Sequence, residues 1–221
     1  MDHLKVMAAQ PFITGTLPPL HSIFYQPQPP PRGRSHKWNL LFFGLGGSAL
    51  NNYFSQLMLD SASITIVECD PTLQYLATKW FGLVESPQNT PIASGQRVEI
   101  EEGSNWLAAR PMDSPIYDVV YVDDCYYTRE QNASCPRKAY HKPLVAAQLR
   151  EALRMGGTLA MNVFSLAGSS PTDSSAGMEE KKHEWANDEH ALLMLYNRYF
   201  ADSCYYVKIA SNMVGGVMEM E

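Results

Sequence analysis

The stretch that most restricts this fold is residues 39–49, where the run NLLFF passes directly into GLGGSA. Four bulky apolar residues in a row, Leu40 to Phe43, suit a strand buried on both faces, as found in parallel sheets covered by helices. The following G-x-G-x-x-A pattern lets the backbone turn sharply into a helix, read here over residues 48–59. A second strand, SITIVE at 63–68, is rich in β-branched residues. Strand, helix and strand within this length make a βαβ unit, whose two strands must run parallel.

The alternation continues down the chain. Asp70 and Pro71 are an N-cap and a first helical residue, opening a helix that runs to about Phe81 and stops at Gly82. Residues 97–101 and 117–123 read as strands, 142–155 as a helix closed by Gly156 and Gly157, and 158–163 as a fifth strand. Residues 166–180 form a Ser/Gly/Thr-rich loop, and 184–200 carry an apolar helical stripe. The last two strands, 205–210 and 214–220, are too close for a crossover and form an antiparallel hairpin. The expected architecture is α/β: a Rossmann-like, doubly wound, mostly parallel seven-stranded sheet with a reversed last strand. Residues 1–10 suit a short helix with Leu4, Met7 and Ala8 on one side, and Pro11 favours a break. Turn and polyproline signals dominate 18–35, including QPQPPPRG at 26–33. The expected division is an N-terminal helix with a Pro-rich connector, 1–35, and a main domain, 36–221.

Composition excludes some classes. With 45% hydrophobic and 18% charged residues the chain is not a disordered one. Its 17 basic and 23 acidic residues give a net charge of −6, which argues against a general nucleic-acid binder. No apolar run has the length of a membrane span, and the opening MDHLK lacks the order of a secretory signal. Cys69, Cys125, Cys135 and Cys204 include no C-x-x-C pair, and the six histidines show no metal spacing. The expectation is a reduced, cytoplasmic protein with neither membrane segment nor metal site. Cys125 has no histidine that can be placed beside it and receives no nucleophilic role, Cys135 shapes a loop, and His183 and His190 lie on a solvated face.

In such a sheet, ligands bind where the strands end. Gly44, Gly46 and Gly47 follow the first strand, and Glu68 ends the second, 19 residues past Ala49. A carboxylate at that place can accept from both hydroxyls of a ribose. Glu101-Glu102-Gly103 closes the third strand and Asp123-Asp124 the fourth. The glycine turn and Glu68 specify an adenosine-type ligand without separating a nicotinamide dinucleotide from S-adenosylmethionine. The concentration of carboxylates favours the second, a sulfonium cation, over a pyrophosphate.

Five motifs carry a family resemblance: FFGLGGSAL (42–50), ITIVECDPTLQYLATKWFGL (64–83), RVEIEEGSNWL (97–107), YDVVYVDD (117–124) and SCPRKAY (134–140). Together they resemble the spermidine-synthase-like branch of the S-adenosylmethionine-dependent methyltransferases. Within it, the likeness is to the C-terminal domain of the dual methyltransferases that modify translation elongation factor 1-alpha at a lysine and at its N-terminus. The resemblance implies a class I methyltransferase fold, S-adenosylmethionine as cofactor and a protein amine as substrate, a translation factor above all, and it leaves room for a homo-oligomer. It implies that Gly44, Gly46 and Gly47 face the methionine part of the cofactor. Glu68 would hold the ribose with Cys69 beside it in the cofactor site, and Glu102 and Gly103 would lie at the adenine. Asp123 would be the catalytic residue, beside the transferred group.

Three departures accompany the likeness. Glu102 stands where the family has Asp, and Asp123-Asp124-Cys125 replaces a D-x-D pattern. The chain starts at about the helix that follows the N-terminal β-strand region of spermidine synthases, the expectation for a short form or a fragment. Two other readings stay open: a spermidine-synthase-like aminopropyltransferase, and a non-catalytic remnant that keeps the cofactor fold.

Overall fold

The apolar run at residues 40–43 lies at the centre of the sheet. Strand β1 (Trp38–Phe43) pairs in parallel with β2 (Ala62–Glu68) on one side and β4 (Tyr117–Val122) on the other. In this computed structural model residues 2–20, 37–86, 95–111, 116–127, 133–166, 190–201, 204–209 and 212–218 are described. Beyond β2 lies β3 (Gly95–Ile100), and beyond β4 lies β7 (Leu153–Leu166), which makes five parallel strands in the order β3-β2-β1-β4-β7. The five-stranded parallel sheet read from the alternation is present. On the outer side of β7, β9 (Asn212–Met218) runs antiparallel to it and pairs in turn with β8 (Cys204–Ile209).

The sheet has nine strands among the described residues, against the seven expected. The additional two are short, β5 (Tyr126–Tyr127) and β6 (Ala133–Cys135), and β6 pairs with the far end of β7. They have room because β7 is 14 residues long rather than the six of the expected strand at 158–163. The helix expected at 142–155 stops early, as α5 (Pro143–Ala152) in the numbering used below, because Leu153 is already level with Tyr117 of β4. Gly156, with φ 73°, therefore lies in an irregular stretch inside the strand and does not end a helix.

Alternating side chains divide the core into two layers. Leu41, Phe43, Val120, Val122 and Leu159 face one way, towards α5 and a helix over residues 190–199. Leu40, Phe42, Val119, Tyr121 and Ala160 face the other, towards α1 (Asp2–Ile13) and α2 (Ala49–Met58). α3 (Pro71–Trp80) adds its buried Ala77 to this second layer. The helix expected to break at Pro11 instead continues through it to Ile13, and the carbonyl of Pro11 accepts from Leu17 N at 2.8 Å. Full burial of Met7 in the core offsets the backbone hydrogen bond that proline forgoes. The hydroxyls of Thr14 and Thr16 lie 2.6 Å from that of Thr158, fastening the end of α1 to β7.

One helix was not legible beforehand: α4 (Gly103–Ala109), only 7 residues long and too short for a periodic stripe. The Pro-rich run at 26–33, the Ser/Gly/Thr-rich loop from 167 onward and the first residues of the last expected helix lie outside the described residues. No helix among the described residues is long and apolar enough to cross a membrane.

Candidate active site

Register brings the site together. Phe43 is level with Val67 of β2 and Val122 of β4, so Gly44, Glu68 and Asp123 emerge at one edge of the sheet. Gly44 adopts φ +90°, and a Cβ there would stand 2.5 Å from the carbonyl oxygen of Asp123. Only glycine lets the ends of β1 and β4 come this close. A Cβ at Gly46 would meet nothing within 4 Å, so this side of the turn is open. A cavity of about 60 Å³ lies against the turn, lined by Gly44, Gly46, Gly47, Tyr121, Asp123 and Leu4 of α1.

Glu68 is buried and organises the turn. Its Oε2 accepts from Leu45 N and its Oε1 from Asp70 N, both at 2.8 Å. One carboxylate thus ties the glycine turn to the head of α3 and keeps further lone pairs for a ligand's hydroxyls. Glu102 has a local task, accepting from Ser104 Oγ at 2.5 Å and from Asn105 N at 3.1 Å as the N-cap of α4. Gly103 next to it is pressed by the Tyr140 hydroxyl, which occupies the place of a Cβ.

The two adjacent aspartates have different surroundings. Asp124 is buried; Arg137 Nε donates to its Oδ1 at 2.6 Å and the Tyr140 hydroxyl to its Oδ2 at 3.2 Å. Burial raises its carboxyl, and Arg137 opposes that shift. Asp123 receives a hydrogen bond from Asn162 Nδ2 at 2.8 Å on its Oδ1. Burial raises this carboxyl too, opposed by the Asn162 hydrogen bond and by His3 of α1. The negative charge of Asp124 is therefore balanced by an ion pair with Arg137, whereas Asp123 lines the cavity with Asn162 as its hydrogen-bond partner and the charge of His3 acting on it.

Cys69 follows Glu68 and lies 3.0 Å from Arg137 Nη2. Burial and the neighbouring Glu68 raise its thiol, and Arg137 opposes that shift. The expectation of a fully reduced chain is overturned: Cys125 and Cys135 form a disulfide, their Cα atoms 4.4 Å apart. Their spacing in sequence gave no sign of it, because the hairpin of β5 and β6 that joins them was not foreseen. Asp123, Cys125 and Cys135 cluster within 4.8 Å, but both sulfurs are spent in the disulfide and neither is a thiolate ligand.

Sequence reasoning missed Arg137, Tyr140 and Asn162. The first two stand in SCPRKAY, a motif whose likeness was noted without a role for either residue. Asn162 left a fainter signal, a lone amide inside the apolar strand TLAMNVF. A larger groove of about 700 Å³ between α1 and α2 adjoins this cavity, sharing Leu4, Ala49 and Leu50 with it, and is lined further by apolar residues such as Phe12, Leu20 and Tyr53. It holds none of the residues expected to bind or react.

No protein-family model matches the chain. Among curated proteins it is similar to the "eEF1A lysine and N-terminal methyltransferase" of mouse, with 27% identity over 129 residues, and of cattle, with 29% over 126 residues. Each match covers 56% of this chain and 17% of the relative, so the chain corresponds to a small part of those proteins. Among solved structures it superposes on human Methyltransferase-like protein 13 in complex with SAH, with TM-score 0.67, 20% identity, and coverage of 100% of this chain and 83% of that one. The chain is thus similar in sequence to curated methyltransferases and shares the fold of a solved one. A probable spermidine synthase from Corynebacterium glutamicum shares the fold as well, with TM-score 0.61, 15% identity, and coverage of 99% and 63%.

Proposed function

We propose that this chain is an S-adenosylmethionine-dependent methyltransferase acting on a protein amine, an N-terminus or a lysine, with elongation factor 1-alpha as the type of substrate. The carrying observation is the register that delivers the open glycine turn, Glu68 and Asp123 to one edge. The residues present suit the cofactor: a turn in which Gly46 leaves its side open, a carboxylate with lone pairs to spare and a second one that lines the cavity. Gly44, Gly46 and Gly47 would hold its methionine part, Glu68 its ribose with Cys69 alongside, and Glu102 with Gly103 would border the adenine. Residues 36–221 form the catalytic domain in this reading, residues 1–35 its N-terminal helix and connector, and the cytoplasm is where such a substrate is met.

The bound cofactor supplies a methyl group made electrophilic by its sulfonium. The protein's task is to position a neutral amine in line with that methyl and to exclude water. Asp123 orients the amine through an N–H and takes up the proton released on transfer. An N-terminal amine is roughly 10% neutral at pH 7 and a lysine about 0.04%, so the first needs less help from a base. A polyamine synthase would need more than one free carboxylate for a dicationic substrate. The pairing of Asp124 with Arg137 supports methyl transfer over aminopropyl transfer.

Calorimetry with S-adenosylmethionine, S-adenosylhomocysteine, the decarboxylated cofactor and NAD tests the first half of the reading. Micromolar binding of the first two, lost in Glu68→Ala, is expected. Preference for the decarboxylated form would move the chain to the aminopropyltransferases, and no binding by a folded chain would make it a remnant. Methyl transfer to elongation factor 1-alpha and to its N-terminal peptide tests the second half.

A further inference from the structure

Asn162 is 3% exposed, and its amide is only half used. The Nδ2 donates to Asp123 Oδ1, while among the described residues the Oδ1 of Asn162 is buried with no partner. Leaving such a carbonyl unpaired costs about 1–3 kcal/mol, and buried polar atoms in folded proteins seldom go without a partner. Asn162 follows Met161, which is level with Val122 of β4, so the amide sits beside Asp123 at the edge of the sheet where the site lies. No donor from the described residues reaches Asp123 Oδ2. Within one hydrogen-bonded pair, two acceptors, one neutral and one ionisable, are thus left without a donor among the described residues, and Asp123 of that pair lines the cavity at the glycine turn.

We propose that Asn162 and Asp123 together form the subsite for the acceptor amine, selecting one that still carries two N–H hydrogens. This rests on the function proposed above and specifies its substrate. A neutral primary amine has two N–H groups and one lone pair. With one N–H on Asn162 Oδ1 and the other on Asp123 Oδ2, the lone pair is left to point at the methyl donor. An amine with one methyl leaves one acceptor unpartnered, and an amine with two methyls leaves both. The subsite therefore ranks acceptors by the hydrogens they retain, and the product of a first transfer fits less well than the substrate. The ammonium forms rank in the same order, since each methyl removes one N–H.

The test is calorimetry on the full chain with three ligands: S-adenosylhomocysteine, an analogue of it bearing a short arm that ends in a primary amine, and the same analogue ending in a dimethylamine. In the wild-type chain the primary amine should bind about tenfold more tightly than the dimethylamine, roughly one hydrogen bond to a buried acceptor. In Asn162→Leu, S-adenosylhomocysteine should bind within twofold of wild type and the tenfold preference should vanish. Asn162→Ala replaces it if the leucine variant does not fold, with a thermal melt as the check. Persistence of the preference in the variant, or equal weakening of both amines, would overturn the proposal; the latter would mean that Asn162 acts only through Asp123. Weakened S-adenosylhomocysteine binding would also overturn it, by assigning Asn162 to the cofactor. If the wild-type chain binds no S-adenosylhomocysteine, the underlying function falls first and is recognised by that result alone.

Discussion

Glu68 serves the architecture with both oxygens and, in the function proposed above, a ligand as well. Its two oxygens accept from Leu45 N and Asp70 N, so glutamine at this place turns an amide N–H₂ toward one of those donors. Glu68→Gln should lose about 1–3 kcal/mol in chemical denaturation and at least tenfold in S-adenosylhomocysteine affinity by calorimetry. Asp123 has the opposite balance. Burial raises its carboxyl, so the folded chain holds that proton more tightly than the unfolded one. The associated stability is fully present below the ordinary carboxylate pKa and lost as pH rises through the raised value. Asp123→Asn escapes that loss. Its melting temperature should exceed wild type at pH 8, the gap closing toward pH 4, while methyl transfer falls by about 100-fold or more. Glu68 and Asp123 were legible because each ends a predicted strand. Asn162 was not, since a single amide in an apolar strand has no periodicity and its partner lies 39 positions away.

At the scale of elements, the disulfide and the hairpin it closes matter most. Cys125 follows the two aspartates and Cys135 precedes Arg137, the residue that neutralises Asp124. The bridge spans a separation of 10 residues, and closing a loop of that size should stabilise the fold by about 2.5–3 kcal/mol. Cys125→Ser should lower stability by up to this amount, and a dithiol reductant should lower wild type equally while leaving the variant unchanged, read in parallel urea melts. Strands β1, β2 and β4 were legible from unbroken apolar or β-branched runs. The hairpin strands were not: β5 has 2 residues and β6 has 3, and both exist because β7 extends far enough for β6 to pair with it. α4 shares that invisibility, its start marked by a Glu cap that reads in sequence as a ligand residue.

For the molecule as a whole, the five parallel strands followed from the rhythm of the sequence, and so did the edge at which Gly44, Glu68 and Asp123 meet. What did not follow was how firmly α1 belongs to the body: Met7 and Leu17 are buried with Leu40 and Phe54, and Leu4 closes the cavity beside the glycine turn. A pattern reading assigns amphipathic faces without saying which neighbour covers them. The placement of β9 has a consequence for synthesis. It is the last strand in chain order, yet it lies between β7 and β8, in register with Leu159, Ala160 and Met161 of β7. Until residues 212–218 have left the ribosome, one edge of β7 offers unpaired N–H and C=O groups along an apolar strand, the kind of edge that recruits other chains. A chain stopped before residue 212 should pellet from a cell-free translation reaction that keeps the full chain in the supernatant. Nascent copies on one messenger would share that exposed edge at close quarters, so a chaperone that covers it during translation should raise the yield of native protein more than one added after release.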